Sequence, residues 1–567
     1  MYIKYFESAE LLFNLLFVKF CNMRDFFINN KYLLILCLIS VLGLLIFIGH
    51  YSGILIDFGR EVYYPEQILN GKVLYKDLFN IYGPLAYQIN AILYKIFGIK
   101  LSTLYVAGSI SAVMIVSCIY LIAEKFLSEF LSFSIGLFTI AVGIMTVSIF
   151  NFHFPYSWAC LYGILSFLVS LYFLINFSEN NSSENLCLSA LFAGACAVLK
   201  YDFILYCLIV LFFVIKNKNL KAFLFMCFIP FVSFGALFFQ GLNFIDIYNS
   251  FDIVKNMLKS RTLVYFYQNS GVYFHPKAIL TNIVLFLKFV IPFGGFLYGV
   301  NFFNKNKSAS VVISMLSLIL LFYLFDYKIS FGFLPLLLLI SVSILFRDFS
   351  SKLKLLVLSA ILVSAKVFWV LLLNSYGVYY VSIILVAIFS VIFKYLPKNL
   401  EKFTSFILLL ISFIIIFGNL SEYKSTSNLI ATSKGKIYTK LSQAQSTNQL
   451  VDYINNYTLS NDKILIIPEG LIINFFTKRE SDDFYNSFLP LYTETFGVDV
   501  IIKHFDMRKP EYIILSNLDM KDYYYRFICQ DYASDFCSFI LKNYDNQYII
   551  GNDFRYLVFR LKKVLSD

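Results

Sequence analysis

The sequence predicts a polytopic α-helical membrane protein of about thirteen transmembrane helices, with interfacial helices in its loops and a small C-terminal extracytoplasmic α/β domain. Three observations carry this. Of 567 residues, 59% are hydrophobic and only 14% are charged, whereas a soluble domain is about half apolar and a quarter charged. Apolar runs near the length needed to cross a bilayer, about 20 residues, follow one another from Lys31 to Leu420. From Ser421 the composition turns polar and strand-like and helix-like patterns alternate.

The net charge of +11 lies in small groups between apolar runs. That is a signature of membrane topology and not of nucleic-acid binding. Cys37, Cys118, Cys160, Cys187, Cys196, Cys207 and Cys227 fall inside apolar runs, where a thiol behaves as a small hydrophobe.

Taken in order, residues 1–30 form a cytoplasmic or interfacial segment. Its apolar stretch 11–20 is too short to span and lacks a small-residue cleavage site, so it reads as an interfacial piece or as the product of an early start before Met23. The expected spans are 31–50, 101–123, 127–150, 158–177, 186–199, 203–215, 222–241, 278–300, 308–325, 330–346, 353–373, 378–393 and 403–420. Arg24, Lys31, Lys125, Lys216, Lys305, Arg347 and Lys394 recur at every second junction, which puts the N-terminus in the cytoplasm. The transmembrane domain 31–420 then presents its two large loops, 51–100 and 243–277, on the non-cytoplasmic face. A linker, 421–446, and an α/β domain, 447–567, follow on that same side.

The first loop concentrates Asp57, Arg60, Glu61, Glu66, Lys72, Lys76 and Asp77 beside the bilayer. After Pro84, apolar residues at Leu85, Ile89, Ile92 and Ile96 keep helical spacing up to Gly98, which predicts a helix lying on the membrane surface. A second short helix is expected over 60–69, with Pro65 starting or breaking it. Asp57 sits where a carboxylate is costly unless solvated, paired or functional. Asp77 alone suits a turn, and Glu61 and Glu66 suit a solvated face.

Further along, Lys200-Tyr201-Asp202 interrupts an otherwise apolar stretch, at a depth where either charge alone costs about 2.5 to 3.5 kcal/mol. The pair either marks a hairpin by snorkelling outward or serves the site. In the second loop, Phe244, Ile247, Phe251, Val254 and Leu258 form another surface helix, followed by Arg261 and two aromatic clusters. His50, His153, His275 and His504 are too scattered for a zinc site. No metal ligands are assigned and no cofactor is obligatory; a carboxylate-bound divalent cation stays open.

In the C-terminal domain the patterns predict a helix over 449–457, strands over 463–467, Tyr512–Ser516, 548–550 and Tyr556–Leu561, and a helix over 523–541. Pro468-Glu469-Gly470 reads as a turn after a strand. On one continuous helix Cys529 and Cys537 would stand about 12 Å apart, too far for a bridge, so a disulfide requires that helix to break.

Asp57-x-Gly59, Tyr63-Tyr64, Ile68-Leu69-x-Gly71-x-Val73-x-Tyr75-x-Asp77-x-Phe79 and Tyr82-Gly83-Pro84-Leu85-x-Tyr87 together resemble the first loop of the glycosyltransferase C superfamily. The resembled branch is the ArnT-like and protein O-mannosyltransferase-like group, which uses polyprenyl-phosphate sugars. The resemblance implies transfer of a sugar from such a donor to a lipid, glycan or protein acceptor, with inversion, in an integral membrane protein. It implies a catalytic acid in this loop, which maps onto Asp57, with Asp77 second. Lys200, Arg261 and Lys277 become the candidate phosphate contacts, with Asp202, His153 and Tyr82 in the binding set. Relatives place an acid where this chain has His153, and none stands there. A transporter or flippase, or a non-catalytic lipid-binding scaffold, would also have many spans and few buried charges, although no internal repeat of the transporter kind is evident.

Overall fold

The computed structural model describes residues 30–562 except 275, 303, 304, 398 and 483. The segment 1–29, and with it the expected cytoplasmic or interfacial piece, lies outside the described residues, as does His275.

Each of the thirteen apolar runs holds a helix. The chain begins with α1 (Lys31–Phe47), then the loop helices α2 (Phe58–Leu69) and α3 (Leu85–Phe97). It continues through α4 (Leu101–Glu124), α5 (Glu129–Gly143), α6 (Trp158–Asn180), α7 (Ser183–Leu199), α8 (Ile204–Lys216) and α9 (Leu220–Phe239). The second loop carries α10 (Phe244–Met257) and α11 (Arg261–Asn269), and α12 (Pro276–Asn301), α13 (Lys307–Leu324), α14 (Leu334–Leu345), α15 (Ser351–Val363), α16 (Val381–Tyr395) and α17 (Asn399–Ser425) complete the bundle. Among the described residues five helices are long and apolar enough to cross a membrane: α4, α6, α9, α12 and Leu400–Ser425 of α17. The other apolar helices are shorter: α7 and α8 are parted at Lys200 and Asp202, and α15 ends at Val363, well before the end of the run 353–373. Pro65 neither starts nor breaks α2, which runs through it.

The segment expected as a linker is structured. Strands β1 (Asn428–Thr432) and β2 (Gly435–Thr439) form an antiparallel hairpin. The Leu101 N–H donates to the Lys434 carbonyl at 2.8 Å and the Tyr51 N–H to the Tyr438 carbonyl at 2.9 Å, so the hairpin is fastened to the ends of α4 and α1. Polar composition hid it, since a two-stranded ribbon pinned to other elements needs few apolar residues of its own.

Beyond it lie α18 (Leu441–Tyr457), β3 (Ile464–Ile467), α19 (Leu471–Thr477), α20 (Pro490–Phe496), α21 (Val498–Met507), β4 (Tyr512–Ser516), α22 (Ser534–Asn543), β5 (Tyr544–Ile550) and β6 (Tyr556–Leu561). The sheet order is β3-β4-β6-β5, with β3 parallel to β4 and the other pairs antiparallel. Buried on both faces, β3 and β4 read as continuous apolar runs. Alternation splits them: Ile464, Ile466 and Ile514 face a core continuous with the helical bundle, while Leu465, Ile467, Ile513 and Leu515 face a second core. Phe79, Met257 and Leu263 from the two loops enter that second core. The loops and the C-terminal domain are therefore one packed unit.

The helix expected over 523–541 is broken. A short 3-10 turn at Lys521–Tyr523 precedes α22, and Cys529 lies in the intervening loop with positive φ. This brings Cys529 and Cys537 to a Cα separation of 5.6 Å, bridged as a disulfide.

Candidate active site

Two glycines of the first loop allow the site to close. A Cβ on Gly59 would lie 2.4 Å from the backbone nitrogen of Ile472, and one on Gly83 would lie 2.1 Å from the carbonyl oxygen of Val198. The first contact sets α2 against α19 and brings Glu469 to Asp57. The second seats Tyr82 beside Lys200, and the Gly83 N–H donates to the Leu199 carbonyl at 3.0 Å.

Asp57 precedes α2 with φ 62° and ψ −35°, a backbone state that is rare and costly for a side-chain-bearing residue. Its N–H donates to Glu469 Oε2 at 3.1 Å, and its Oδ1 lies 3.0 Å from Arg60 Nη2. The Asp57 side chain is 21% exposed, whereas Glu469 is buried. Burial raises the pKa of both carboxyls; for Glu469 the Asp57 charge adds to the rise, and for Asp57 the charges of Arg60 and Lys200 oppose it. Two adjacent carboxylates in one apolar site share a proton. With Arg60 paired to Asp57 and Glu469 the more buried, the proton rests on Glu469 and Asp57 stays ionised.

Glu61 is fully buried, not on a solvated face. Its Oε2 accepts the N–H of Trp158, the first residue of α6, at 2.8 Å, and its Oε1 accepts from the Tyr87 hydroxyl at 2.8 Å and from Arg60 Nε at 3.2 Å. It locks Arg60 to the helix N-terminus, where a carboxylate is favoured. Glu66 likewise pairs with Lys434, at 2.5 Å. The sequence carries no sign of either partner, because both come from remote segments.

A second cluster faces the first. Asp202 Oδ2 lies 3.3 Å from Lys200 Nζ and 3.4 Å from Lys366 Nζ. Lys200 also donates to the Tyr156 hydroxyl, and both ammonium groups sit over the ring of Tyr376, at 5.7 and 4.1 Å. Burial pushes Asp202 up but the two lysines outweigh it and hold it down at about 2. For Lys200 burial is outweighed by Asp202, leaving its pKa above the ordinary value, while burial holds Lys366 down at about 8. The Tyr82 ring joins the clusters, with Arg60 Cζ 5.4 Å and Lys200 Nζ 5.3 Å from its centroid.

Of the residues expected from sequence, Asp57, Tyr82, Lys200 and Asp202 come together. The others do not join them. Asp77 accepts the Val73 N–H at 2.8 Å and serves its turn. His153 is buried, takes the Tyr51 hydroxyl on Nδ1 at 3.2 Å and lies with Nε2 3.3 Å from the Thr146 carbonyl oxygen; burial lowers its pKa to about 4, so it is a neutral packing residue. Arg261 stacks on Tyr524 of the C-terminal domain, 4.0 Å from the ring centroid. Lys277 is exposed in the first turn of α12. Lys366 was concealed inside the expected span 353–373, although a lone lysine in an apolar run is the same signal that exposed Lys200. Glu469 was concealed by its turn-like neighbours.

Among the described residues no group of three or more His, Cys, Asp and Glu could hold a metal ion. An apolar cavity of about 810 Å³ opens beside the second cluster, lined by Leu85, Ile89, Ile92, Leu199, Phe228 and Val232 among others.

The fold and site define a helical protein with helices long and apolar enough to cross a membrane and a polar, tyrosine-lined centre held between its loops and an α/β domain. The chain is similar to ArnT from Cupriavidus metallidurans bound to undecaprenyl phosphate, at 12% identity over 95% of this chain and 99% of that one, with a TM-score of 0.44. It is also similar to the Archaeoglobus fulgidus oligosaccharyltransferase in complex with zinc and sulfate, at 13% identity over 86% of this chain and 68% of that one, with a TM-score of 0.46. No family model and no curated protein matches the chain. With TM-scores below 0.5 these likenesses assign no activity and no residue role here.

Proposed function

We propose that this chain is a membrane glycosyltransferase that moves a sugar from a polyprenyl-phosphate donor to an acceptor hydroxyl, with inversion, on the non-cytoplasmic face. The observation that supports this reading most directly is the Tyr82 ring set between Arg60 and Lys200, which links the Asp57 cluster to the Lys200 cluster.

Asp57 accepts the proton of the acceptor hydroxyl as its oxygen bonds to the anomeric carbon. The bond from that carbon to the donor phosphate oxygen breaks, and its electron pair leaves on the phosphate. Lys200 and Lys366 stabilise that charge in a site poor in water. Asp202 holds the two ammonium groups at one point, and because a single carboxylate serves both, one positive charge is left for the phosphate. Tyr82, Tyr156 and Tyr376 offer ring faces to the sugar. Glu469, carrying its proton, holds the Asp57 backbone without adding charge. The 810 Å³ apolar cavity reaches Leu199, next to Lys200, and has room for the first units of an isoprenoid chain.

The thirteen apolar helices together make the membrane bundle in this reading. Lys125 and Lys352 share Glu179 at 2.8 and 2.9 Å, at the end of α4 opposite to the one fastened to the hairpin. Such a basic cluster belongs on the cytoplasmic side, which supports a non-cytoplasmic site.

Asp57→Asn tests the proposal. Transfer from a polyprenyl-phosphate sugar to extracted envelope acceptors should fall by about 10² to 10⁴ while folding persists. Undiminished transfer would remove the base and with it the mechanism.

A further inference from the structure

A second polar cavity, of about 370 Å³, lies between the first loop and the C-terminal domain. Lys76, Asp77, Lys463, Asp482, His504 and Arg508 line it, with Phe484 on its wall. Both carboxylates are held by donors, though against them stand three cations, Lys76, Lys463 and Arg508. Asp77 is held by the Val73 N–H, and Asp482 Oδ1 accepts the N–H groups of Phe484 and Tyr485 at 3.0 and 2.8 Å while its Oδ2 meets His504 Nε2 at 2.7 Å. The cations outnumber the carboxylates three to two. Lys76 Nζ donates to the Gly241 carbonyl at 3.2 Å, which leaves its charge uncompensated. Lys463 and Arg508 form no side-chain ion pair among the described residues. Lys463 immediately precedes β3 and Arg508 precedes β4, so the parallel pairing of Ile464 with Tyr512 sets them at the same end of the two strands, a juxtaposition made by the fold and not by the sequence.

The cavity also adjoins the reacting centre across an aromatic wall. Phe484 lines a smaller cavity too, whose other walls include Arg60 and Glu469. Phe79 packs on Phe484 at a centroid distance of 5.5 Å. A molecule seated outside this aromatic wall is thus one side chain away from the Asp57 cluster.

We propose that this cavity docks an anionic group, a phosphate or a carboxylate, carried by the acceptor whose hydroxyl reacts at Asp57. The proposal rests on the glycosyltransferase reading for the acceptor's fate, but not for the anion site itself. Arg508 offers a planar fork suited to bidentate pairing with either group, and Lys463 and Lys76 add point charges.

The test uses the full chain in nanodiscs of phosphatidylcholine, titrated calorimetrically with glucose 6-phosphate, glucuronate and glucose. Both anionic sugars should bind better than glucose, and the tighter of the two names the group. The exposed pair Lys463→Ala with Arg508→Ala should weaken anion binding by at least about tenfold and leave glucose unaffected. Lys200→Met should leave anion binding intact. Anion binding that survives the double substitution, that follows Lys200→Met instead, or that is no tighter than glucose would overturn the proposal. No donor or turnover is involved, so anion binding without any sugar transfer would refute the transferase reading alone, and transfer without anion binding would refute this site alone.

Discussion

Replacing Lys366 with Met should make the protein more stable and a poorer enzyme. The Lys366 side chain is 14% exposed, and burial lowers its pKa from 10.5 to about 8 even with Asp202 beside it. That depression corresponds to about 3 kcal/mol of disfavoured charge in the folded state. Because the folded value is the lower one, the cost is complete below about 8 and disappears above the unfolded value of 10.5. Lys366→Met, of similar length and apolar, should therefore gain stability of the order of 3 kcal/mol at neutral pH, with the gain shrinking as the pH rises toward 10.5. On the proposed glycosyltransferase reading the same change removes one charge-assisted contact to the donor phosphate, worth roughly 1.5 to 3 kcal/mol, so the donor KM should rise by about 10- to 150-fold. In the wild type, donor affinity should fall as the pH climbs through about 8 and Lys366 loses its proton; Lys366→Arg should keep its charge and push that fall to higher pH. The checks are thermal unfolding in nanodiscs across pH and donor KM for the three proteins. A Met variant that is no more stable than wild type at neutral pH, and that binds donor as well, would refute the reasoning.

Two further outcomes follow from the site. Glu469→Gln reproduces the protonated carboxyl and can still accept the Asp57 N–H, so transfer at neutral pH should change by less than about threefold. The raised pKa of Glu469 gives stability that is fully present below the unfolded value of 4.5 and is lost progressively as the pH rises to the folded value of about 8, so the Gln variant should gain on the wild type across that interval and keep a constant advantage above it; abolished transfer at neutral pH would show that Glu469 works ionised. Gly83→Ala drives a Cβ into the Val198 carbonyl and should cost about 1 to 3 kcal/mol while moving Tyr82 off Lys200. Gly53→Ala, which meets nothing within 4 Å, should do neither, as unfolding and transfer assays on both variants will show.

Much of the fold was legible because its determinants are local. Each apolar run became a helix, since continuous apolarity and helix-forming residues act within one segment. β4 and β6 fell where their β-branched and aromatic residues placed them. What composition could not say was that the run 353–373 stops being helical at Val363, because Lys366 beyond it turns to Asp202 of a remote segment.

Asp57, Tyr82, Lys200 and Asp202 were visible as charges or motif residues out of place beside a membrane. Lys366, Glu469 and Glu61 were not. Each draws its meaning from a partner far away in sequence: Lys366 from Asp202, Glu469 from Asp57, and Glu61 from the amide of Trp158. The sequence by itself determined a helical membrane chain with a charged first loop and a C-terminal α/β unit. Tertiary structure alone decided which charges are neutralised and which remain available, because burial and pairing, not residue type, set the protonation and the chemistry of a carboxylate or an amine.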